Sequence, residues 1–441
     1  MARRRSPESK VPMTDQGEGH VYEDEADRIE ASTHGKDGDV EYEPSELGLK
    51  DADLEAEAES MYNHETDKRV STMATRYQGF YKDNDGVAHM VHMRRVSVKT
   101  RPRPRLEDSP LQPIEPPKMP KSRLKPVSRD HKVIYVVGDA QIGYRRIHPE
   151  RPPMPLHDEV AISAAVALAK HLRPDVVVDL GDTTDFAELS RFAPDADHFQ
   201  RTLEPSLRRT QQFYADLTEV TPHAKRVIVD SNHTKRLGDY TKRNSPEFYN
   251  LTRQGDEYPV LSYPGLLNLD KLGVSEDDKG WKFLGGYGGA VYRYNGEADD
   301  FEQPEDEFGY EDLAFMHGNF SVGGGGSTAA KLGRFRDNVD RNIVQGHAHR
   351  IESQYHTDRR GRKFGAFVCG ALCHVDGRIP SYYSSINEKN VPNTYYENWQ
   401  NGVMVIRDYG DGNYVFDQVP INNGVIYYEG KQFVGLEPET E

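Results

Sequence analysis

The sequence predicts an α/β protein in which helices cover a parallel-rich β-sheet. From about residue 131, short β-branched runs alternate with segments of helical apolar spacing, as expected for parallel strands joined by helices. Three of the runs end at polar residues, and ligands collect at the carboxyl ends of strands in such sheets. The strand-like runs are Val133–Val137, Val176–Leu180 and Arg226–Asp230, and the helical segments are Asp158–His171 and Leu203–Leu217.

The last third of the chain is predicted to be rich in strands. The run Leu313–Met316 leads to His317, and the run Asn342–Gln345 leads to two further histidines. A helix is expected between these runs, over Ser327–Val339. Later runs alternate with turn-forming Gly, Asp and Asn, and we expect them to supply a second sheet. These runs are Ala366–Cys369, Val403–Asp408, Tyr414–Val419 and Val425–Tyr428.

Composition divides the 441 residues into several parts. Because a single core stops growing at about 250–300 residues, one large domain with appendages is expected. We predict a disordered acidic tail (1–60), a small β module (61–100) and a linker rich in Pro, Arg and Lys (101–130). The main domain would span 131–435. It would carry an insertion at about 234–311, an interval too long for a plain loop.

Charge is unevenly placed along the chain. The formal net charge of −16 argues against a protein that coats nucleic acid over its whole surface. Residues 94–129 nevertheless hold eleven Lys and Arg against three acids, whereas residues 8–67 hold four against twenty. We expect the basic linker segment 94–129 to be solvated and able to contact a phosphate backbone.

Two further features bear on the compartment. No hydrophobic run approaches the ~20 residues that a bilayer span needs, and the basic start is followed by an acidic stretch instead of an apolar one. A cytoplasmic protein is therefore expected. Cys369 and Cys373, the two cysteines of the chain, are predicted to be ordinary buried thiols.

Five short segments carry side chains of the kinds that bind metals. They are Gly138-Asp139-Ala140-Gln141, Gly181-Asp182-Thr183-Thr184-Asp185, Ser231-Asn232-His233, His317-Gly318 and Gly346-His347-Ala348-His349. A carboxylate can bridge two cations, while imidazoles and amide oxygens fill the other positions without excess negative charge. Two such cations, about 3.5–4 Å apart, can activate water and stabilise a leaving alkoxide.

In this order, the segments resemble the ligand motifs of the calcineurin-like metallophosphoesterase superfamily over most of residues 131–420. One segment alone would be weak, but five in order, four of them after strand-like runs, are specific. The segments at His317 and Gly346 are also similar to those of members encoded in phage and prophage genomes.

The resemblance implies a fold and an activity. The fold would be a four-layer αββα sandwich with two mixed β-sheets, preceded by a disordered, charged N-terminal region. The activity would be dinuclear-metal-dependent hydrolysis of phosphoester bonds. A phosphodiesterase or nuclease acting on nucleotides or nucleic acid, in bacterial or phage-infected host cytosol, is expected.

Carried over residue by residue, the resemblance implies two metal sites that share Asp182. The first metal would be held by Asp139, Gln141, Asp182 and His349. The second would be held by Asp182, Asn232, His317 and His347. Mn²⁺ is expected first, with Mg²⁺, Fe²⁺, Zn²⁺ or Ni²⁺ as alternatives.

Three further residues receive roles beside the ligands. His233 would be the general acid that protonates the leaving oxygen. Asp185 would support the site without binding metal, or would cap the following helix. Arg236 could meet a substrate phosphate through a bidentate fork.

The chain departs from the family pattern at two motif positions. Gln141 stands where many members have histidine, so the first metal is expected to be more exchangeable and more Mn²⁺- or Mg²⁺-like. Thr234 stands where the family often has an acid that orients the preceding histidine, which leaves the positioning of His233 open.

Two functions from other classes stay open at this point. One is a nucleic-acid-binding adaptor that acts through the basic segment 94–129, and the other is a catalytically inactive scaffold on the same fold. The DNA affinity of a chain lacking residues 1–130 separates the adaptor from the enzyme. The complete ligand set argues against the scaffold.

Overall fold

The computed structural model describes the chain in segments. These are 39–42, 68–82, 88–102, 114–120, 122, 124–146, 152–190, 201–275, 278–285, 290–294, 299–302, 313–318, 329, 341–357, 359–382 and 397–436. The chain divides into two units, Met1–Leu111 and Gln112–Glu441. Most of the predicted disordered tail 1–60, and the predicted helix Ser327–Val339 apart from Ala329, lie outside the described residues.

The first unit contains a three-stranded antiparallel sheet. Its strands are β1 (Asp39–Tyr42), β2 (Lys68–Lys82) and β3 (Ala88–Pro102), in the order β1-β3-β2. The long strands β2 and β3 pair from Lys68 opposite Pro102 to Lys82 opposite Ala88. They flank the Asp-Asn-Asp-Gly turn signal of the predicted β module, which itself lies outside the described residues.

The second unit is built on two six-stranded mixed sheets. The helix-covered sheet has the order β17-β16-β4-β7-β8-β9, and the second sheet has the order β11-β10-β12-β13-β15-β14. Strands β18 and β19 form a hairpin, as do β5 and β6. In chain order the strands are β4 Lys132–Val137, β5 Tyr144–Arg145, β6 Met154–Pro155, β7 Val176–Asp179, β8 Lys225–Val229, β9 Lys282–Leu284, β10 Ala290–Tyr294, β11 Asp299–Glu302, β12 Leu313–Met316, β13 Asn342–Gln345, β14 Glu352–Thr357, β15 Lys363–Val368, β16 Gly402–Asp408, β17 Tyr414–Pro420, β18 Val425–Tyr428 and β19 Lys431–Val434.

The described helices of the second unit lie where apolar residues recur at helical spacing and capping residues stand at the ends. The first begins after Asp158, whose side chain accepts a hydrogen bond from the backbone N–H of Ala161, and ends at Arg173 in the left-handed conformation. The helices are α1 Glu159–Leu172, α2 Leu203–Val220, α3 Asn232–Asn244 and α4 Tyr263–Leu267. Short 3₁₀ turns lie at Ala187–Leu189, Pro246–Phe248, Leu269–Lys271 and Pro380–Tyr382.

Alternation along β4 shows how the layers stack. Val133, Tyr135 and Val137 pack in one cluster with the buried faces of α1 and α2. Ile134 and Val136 pack in another cluster, which joins the two sheets. Because successive side chains of a strand point to opposite faces, the helix-covered sheet is buried on both sides. In the part of the chain that the structure describes, the expected α/β fold with mixed sheets is therefore present as one helical layer and two sheets.

The fourth layer of the expected sandwich is not part of this description. It would cover the outer face of the second sheet, where Ala314, Met316, Ile343 and Ala366 form a small cluster. Apart from Ala329, the segment 319–340, which contains the predicted helix Ser327–Val339, lies outside the described residues.

The strands at the carboxyl end correct one expectation. The sequence assigns Val403–Asp408 and Tyr414–Val419 to a second sheet, but β16 and β17 extend the helix-covered sheet, with β16 antiparallel to β4. Nearly all of β16 is buried, as suits a strand between two others. The run Ala366–Cys369 does contribute to the second sheet as expected, through β15, which β14 joins, whereas Val425–Tyr428 pairs with β19 in a separate hairpin.

Two regions outside the predicted elements add to the second unit. The described part of 234–311 supplies α4 and most of α3, together with the edge strands β9 and β11 and the adjoining strand β10, so it builds part of both sheets. Residues 114–130, assigned by sequence to the linker, belong to the second unit. There Ile114 and Met119 pack against the core, and the His223 ring donates to the Leu124 carbonyl over 2.8 Å. No described helix is long and apolar enough to cross a membrane.

Candidate metal centre

The topology brings the predicted ligand segments to one place. Strands β4, β7 and β8 run parallel in one sheet, and β12 and β13 run parallel in the other. Each predicted segment follows the carboxyl end of one of these strands. The side chains at 139, 141, 182, 232, 317, 347 and 349 therefore meet at the carboxyl edges of both sheets.

Asp182 lies at the middle of this cluster and is almost fully buried. Its Oδ2 lies 3.1 Å from Nε2 of His317 and 3.4 Å from Nε2 of Gln141. Its Oδ1 accepts the backbone N–H of His233 over 3.1 Å. Burial opposes ionisation, but His233 and His317 outweigh it and hold the pKa of Asp182 well below its usual range. Asp182 thus stands as an anion that contacts ligands on both sides.

We call the side chains on one side of Asp182 the asparagine half; they are Asn232, His317 and His347. Nε2 of His317 lies 2.9 Å from Oδ1 of Asn232 and 3.2 Å from Nδ1 of His347. The other ring nitrogen, Nδ1, donates to the Leu180 carbonyl over 2.9 Å. This backbone bond fixes the ring so that Nε2 faces Asp182, Asn232 and His347.

We call the side chains on the other side the glutamine half; they are Asp139, Gln141 and His349. Nε2 of His349 lies 3.2 Å from Oδ1 of Asp139 and 3.4 Å from Nε2 of Gln141. The two amide atoms of a glutamine are assigned from their hydrogen bonds, and turning the amide of Gln141 would present Oε1 to the cluster. Asp139 Oδ2 accepts the backbone N–H of His347 over 2.9 Å, which ties the halves together.

The backbone is unusual at these positions. Five of the seven predicted ligands have positive φ, a conformation uncommon for residues other than glycine. Such residues cluster at functional sites, where the surrounding fold holds them in place. The neighbouring Gly346 is also required, because a Cβ there would lie 2.7 Å from Asp139 Oδ2. The five residues are Asp139, Gln141, Asp182, His347 and His349, with φ between 48° and 67°.

The donor set fits divalent metal ions. Acceptor atoms of Asp182, His317 and His347 all lie within 4.8 Å of one another. Oε1 of Gln141 is buried without a hydrogen-bond partner, which is costly unless a cation or water supplies one. Oδ1 of Asp139 is also buried and faces Nε2 of His349 at 3.2 Å. Burial opposes protonation of His317, but Asp182 outweighs it and raises the pKa of His317 to about 9, so the cluster favours positive charge. Carboxylate, amide and imidazole donors suit Mn²⁺ and similar ions.

His233, Asp185 and Arg236 form a chain beside the asparagine half. Nε2 of His233 lies 3.5 Å from Asp182 Oδ2, and its Nδ1 lies 3.2 Å from Asp185 Oδ1. Asp185 is fully buried, and its Oδ2 accepts the backbone N–H of Ser381 over 2.6 Å. Burial opposes its ionisation, but His233 and Arg236 keep the pKa of Asp185 low. Asp185 is thus the carboxylate that contacts Nδ1 of His233.

Thr234 caps the helix that carries Asn232 and His233. Its hydroxyl accepts the backbone N–H of Ser231 over 2.9 Å, and the Ser231 side chain accepts the backbone N–H of Thr234. This capping box begins α3 and fixes Asn232 and His233 in its first turn.

Arg236 is engaged within the protein. Nη1 donates to the backbone carbonyl of Asp185 over 2.8 Å, and Nη2 donates to Nε2 of His233 over 2.7 Å. The bidentate contact to phosphate stays a prediction, since it would require Arg236 to give up both bonds.

Asp179, a buried residue that the sequence analysis missed, stabilises the turn carrying Asp182. Asp179 accepts hydrogen bonds from the Gly181 backbone N–H over 2.9 Å, from the Tyr214 hydroxyl over 2.6 Å and from Thr183. Burial raises the pKa of Asp179, although these bonds oppose the shift. An acid inside a β-branched run was the available signal for this role.

Comparisons with known proteins add little. No protein-family model and no curated protein matches the chain. A dimetal phosphatase from Danio rerio is similar in structure over 65% of this chain and 98% of its own, at 11% identity and a TM-score of 0.25. At that score the likeness carries no argument, so the case for function rests on the site.

Proposed function

We propose that the protein hydrolyses phosphoester bonds with two divalent metal ions. The observation that carries this proposal is the meeting of six side chains from both sheets around the buried Asp182. Asp139, Gln141, Asp182 and His349 would hold one ion. Asp182, Asn232, His317 and His347 would hold the other.

Bound metals would supply an activated water and neutralise charge on the phosphoryl oxygens. The residues of the chain do the rest. Asp182 holds the two halves at a fixed separation, because its carboxylate contacts ligands of both. The Leu180 carbonyl fixes the ring of His317 through Nδ1 and keeps its Nε2 available.

His233 is proposed as the general acid. An ionised Asp185 beside Nδ1 favours the ring form that carries a proton there and aims Nε2 at the centre. Protonated at Nε2, His233 would donate that proton to the leaving oxygen. Arg236 now occupies Nε2 and would have to move before His233 could donate. Movement of Arg236 toward a substrate phosphate would free His233 at the moment it is needed.

The substrate class proposed is nucleic acid or nucleotides, as for a phosphodiesterase or nuclease. Strands β2 and β3 together contain eight Lys and Arg and no acid in a chain with a net charge of −16. This clustering supports a contact with a phosphate backbone in the region of the basic segment 94–129. Such a substrate would place the reaction in the cytoplasm, with Mn²⁺ as the first metal to test. The likeness to phage-encoded members stays a prediction.

The test is an activity screen of the full-length protein with added Mn²⁺. Substrates should include a nitrophenyl phosphodiester, a phosphomonoester, cyclic nucleotides, and single- and double-stranded DNA. The proposal expects turnover of a diester that disappears with a chelator and returns with Mn²⁺. DNA binding without turnover of any substrate would favour the adaptor, and metal binding with neither activity would favour the inactive scaffold.

A further inference from the structure

His349 of the glutamine half has a contact that the proposed function does not use. Its Nε2 faces Asp139 and Gln141, while its Nδ1 lies 3.7 Å from Sγ of Cys373. Both residues are buried. Among the described residues, this sulfur is the hydrogen-bonding contact of Nδ1.

The contact between Nδ1 of His349 and Sγ of Cys373 lies where a metal-binding histidine usually makes the hydrogen bond that orients its ring. A metal-binding histidine usually donates its other ring N–H to a carboxylate, a carbonyl or water, which fixes the ring and raises its basicity. His317 follows this rule with the Leu180 carbonyl at 2.9 Å. His349 has a thiol instead, and sulfur is a weak acceptor. The two imidazoles are therefore held with different strength.

Cys373 is itself held firmly against the site. The residue before it, Leu372, donates its backbone N–H to the Asp139 carbonyl over 3.2 Å, and the Asn401 side chain donates to the Cys373 carbonyl over 2.6 Å. Cys373 also packs with Trp399, whose ring meets the His349 ring edge-on at 4.6 Å between centroids. The sulfur cannot drift from Nδ1 without disturbing these contacts.

The two buried thiols of the chain lie in different surroundings. Sγ of Cys373 lies against the His349 ring. The free Cys369 is placed elsewhere, with its Sγ 3.9 Å from the Val136 carbonyl in the core between the sheets. The two thiols therefore have separate roles.

We propose that Cys373 is a positioning residue that orients His349 and so sets the cation affinity of the glutamine half. The proposal rests on the metal centre of the proposed function and deepens it. Nε2 of the His349 ring faces the buried Oδ1 of Asp139 at 3.2 Å, and the buried, unpartnered Oε1 of Gln141 lies in the same half, so the ring has a cation site to face. With an amide ligand and a thiol-held imidazole, the glutamine half binds metal more weakly than the asparagine half.

The experiment titrates Mn²⁺ into the metal-free, full-length protein and follows both binding steps by calorimetry. Tryptophan fluorescence assigns the steps, because Trp399 lies against His349 whereas Trp281 is buried with its indole N–H bonded to Thr218. Trp399→Phe identifies the signal that belongs to the glutamine half. The weaker step should be the one that changes Trp399 fluorescence.

Two variants of Cys373 and a matched control then test the thiol. Cys373→Ala should weaken Mn²⁺ binding in the weaker step by about 10–100-fold, the usual effect of losing an orienting partner, and leave the tighter step unchanged. Cys373→Ser keeps a polar atom and should fall between Cys373→Ala and the natural protein. Cys369→Ala removes the other buried thiol and should change neither step.

Several outcomes would overturn the proposal. Unchanged affinities in both Cys373 variants would do so, as would an equal loss in both steps or the same loss in Cys369→Ala. If Cys373→Ala does not fold, as judged by thermal unfolding without metal, Cys373→Ser decides. A natural protein that binds no Mn²⁺ would overturn this proposal and the proposed function together. Two-step binding without hydrolysis would overturn the proposed function alone.

Discussion

The two halves of the candidate metal centre are built differently around the same carboxylate. In the asparagine half, a backbone carbonyl holds His317 at 2.9 Å, and Asn232 and His347 lie within 3.2 Å of its Nε2. In the glutamine half, a thiol 3.7 Å away holds His349. In that half, the buried Oε1 of Gln141 lacks a hydrogen-bond partner.

The difference teaches that ligand identity alone does not define such a centre. The ligands come from short motifs, whereas the groups that orient them come from distant parts of the chain. A main-chain carbonyl is present whatever the sequence, but the Cys373 contact depends on one side chain. We therefore expect the asparagine half to fill first and the glutamine half to exchange its metal more readily.

Asp182→Asn should have the largest effect, because it removes the anion that both halves share. We expect activity to be lost and metal content to fall in both halves, measured by elemental analysis of the purified protein. Asp411→Asn, in the exposed turn between β16 and β17, is the control. Retention of both metals by Asp182→Asn would show that the halves do not share this ligand.

His233→Ala tests a residue that lies outside both halves. Both metals should remain, and turnover should fall by about 10²–10⁴-fold, the usual contribution of a positioned general acid. The loss should be large for a nucleoside leaving group and small for nitrophenolate, which departs without a proton. Steady-state kinetics on matched diesters would measure both, and equal losses would show that His233 has another role.

Asp185→Asn should have a smaller effect of the same kind. An amide cannot replace the buried anion beside Nδ1 of His233 and Arg236, so the ring loses its orientation while the metals stay. We expect turnover to fall by about 10–100-fold with unchanged Mn²⁺ affinity. Loss of metal from this variant would mean that Asp185 supports the ligands directly.

Glu159→Gln should lower the stability of the protein at pH 7 and leave the Mn²⁺ affinity of both halves unchanged. Glu159 joins α1 to α2 through Arg209 at 2.6 Å. Burial opposes its ionisation, but Arg209 and His157 outweigh it and lower the pKa of Glu159 to about 2 from 4.5. Because the folded pKa is the lower one, its stabilisation is fully present above pH 4.5 and is lost as the pH falls toward 2.

Urea unfolding between pH 2 and 7 would measure this effect. The natural protein should be more stable than Glu159→Gln at pH 7, and the difference should shrink below pH 4.5. A difference independent of pH, or a change in Mn²⁺ affinity, would contradict this assignment.

Much of the fold around the site could be predicted from the sequence. Strands β12, β13 and β18 have the predicted bounds, and β4, β7 and β8 lie within one residue of theirs. Apolar periodicity and the glycine-containing turns after strands are local signals, so they can be recognised in a single sequence. Local sequence signals could not predict which sheet β16 and β17 join, because the pairing of β16 with β4 depends on tertiary packing.

The predicted ligands come together in the structure, whereas the groups that orient them could not be read from motifs. Asp185 lies near its predicted supporting position, but its contact with His233 depends on the approach of two strand ends. Asp179 and Cys373 belong to no metal motif. Their roles appear only when β7 and β15 bring them beside the ligand segments.

The most direct test of the central claim is electron paramagnetic resonance of the protein during stepwise addition of Mn²⁺. The account predicts a signal from an isolated ion during the first equivalent, as the asparagine half fills. A second, weaker equivalent should then convert it to the signal of an exchange-coupled pair, since ions sharing Asp182 would lie about 3.5–4 Å apart. Binding of a single Mn²⁺, or of two ions that stay uncoupled, would contradict a shared centre built from two unequal halves.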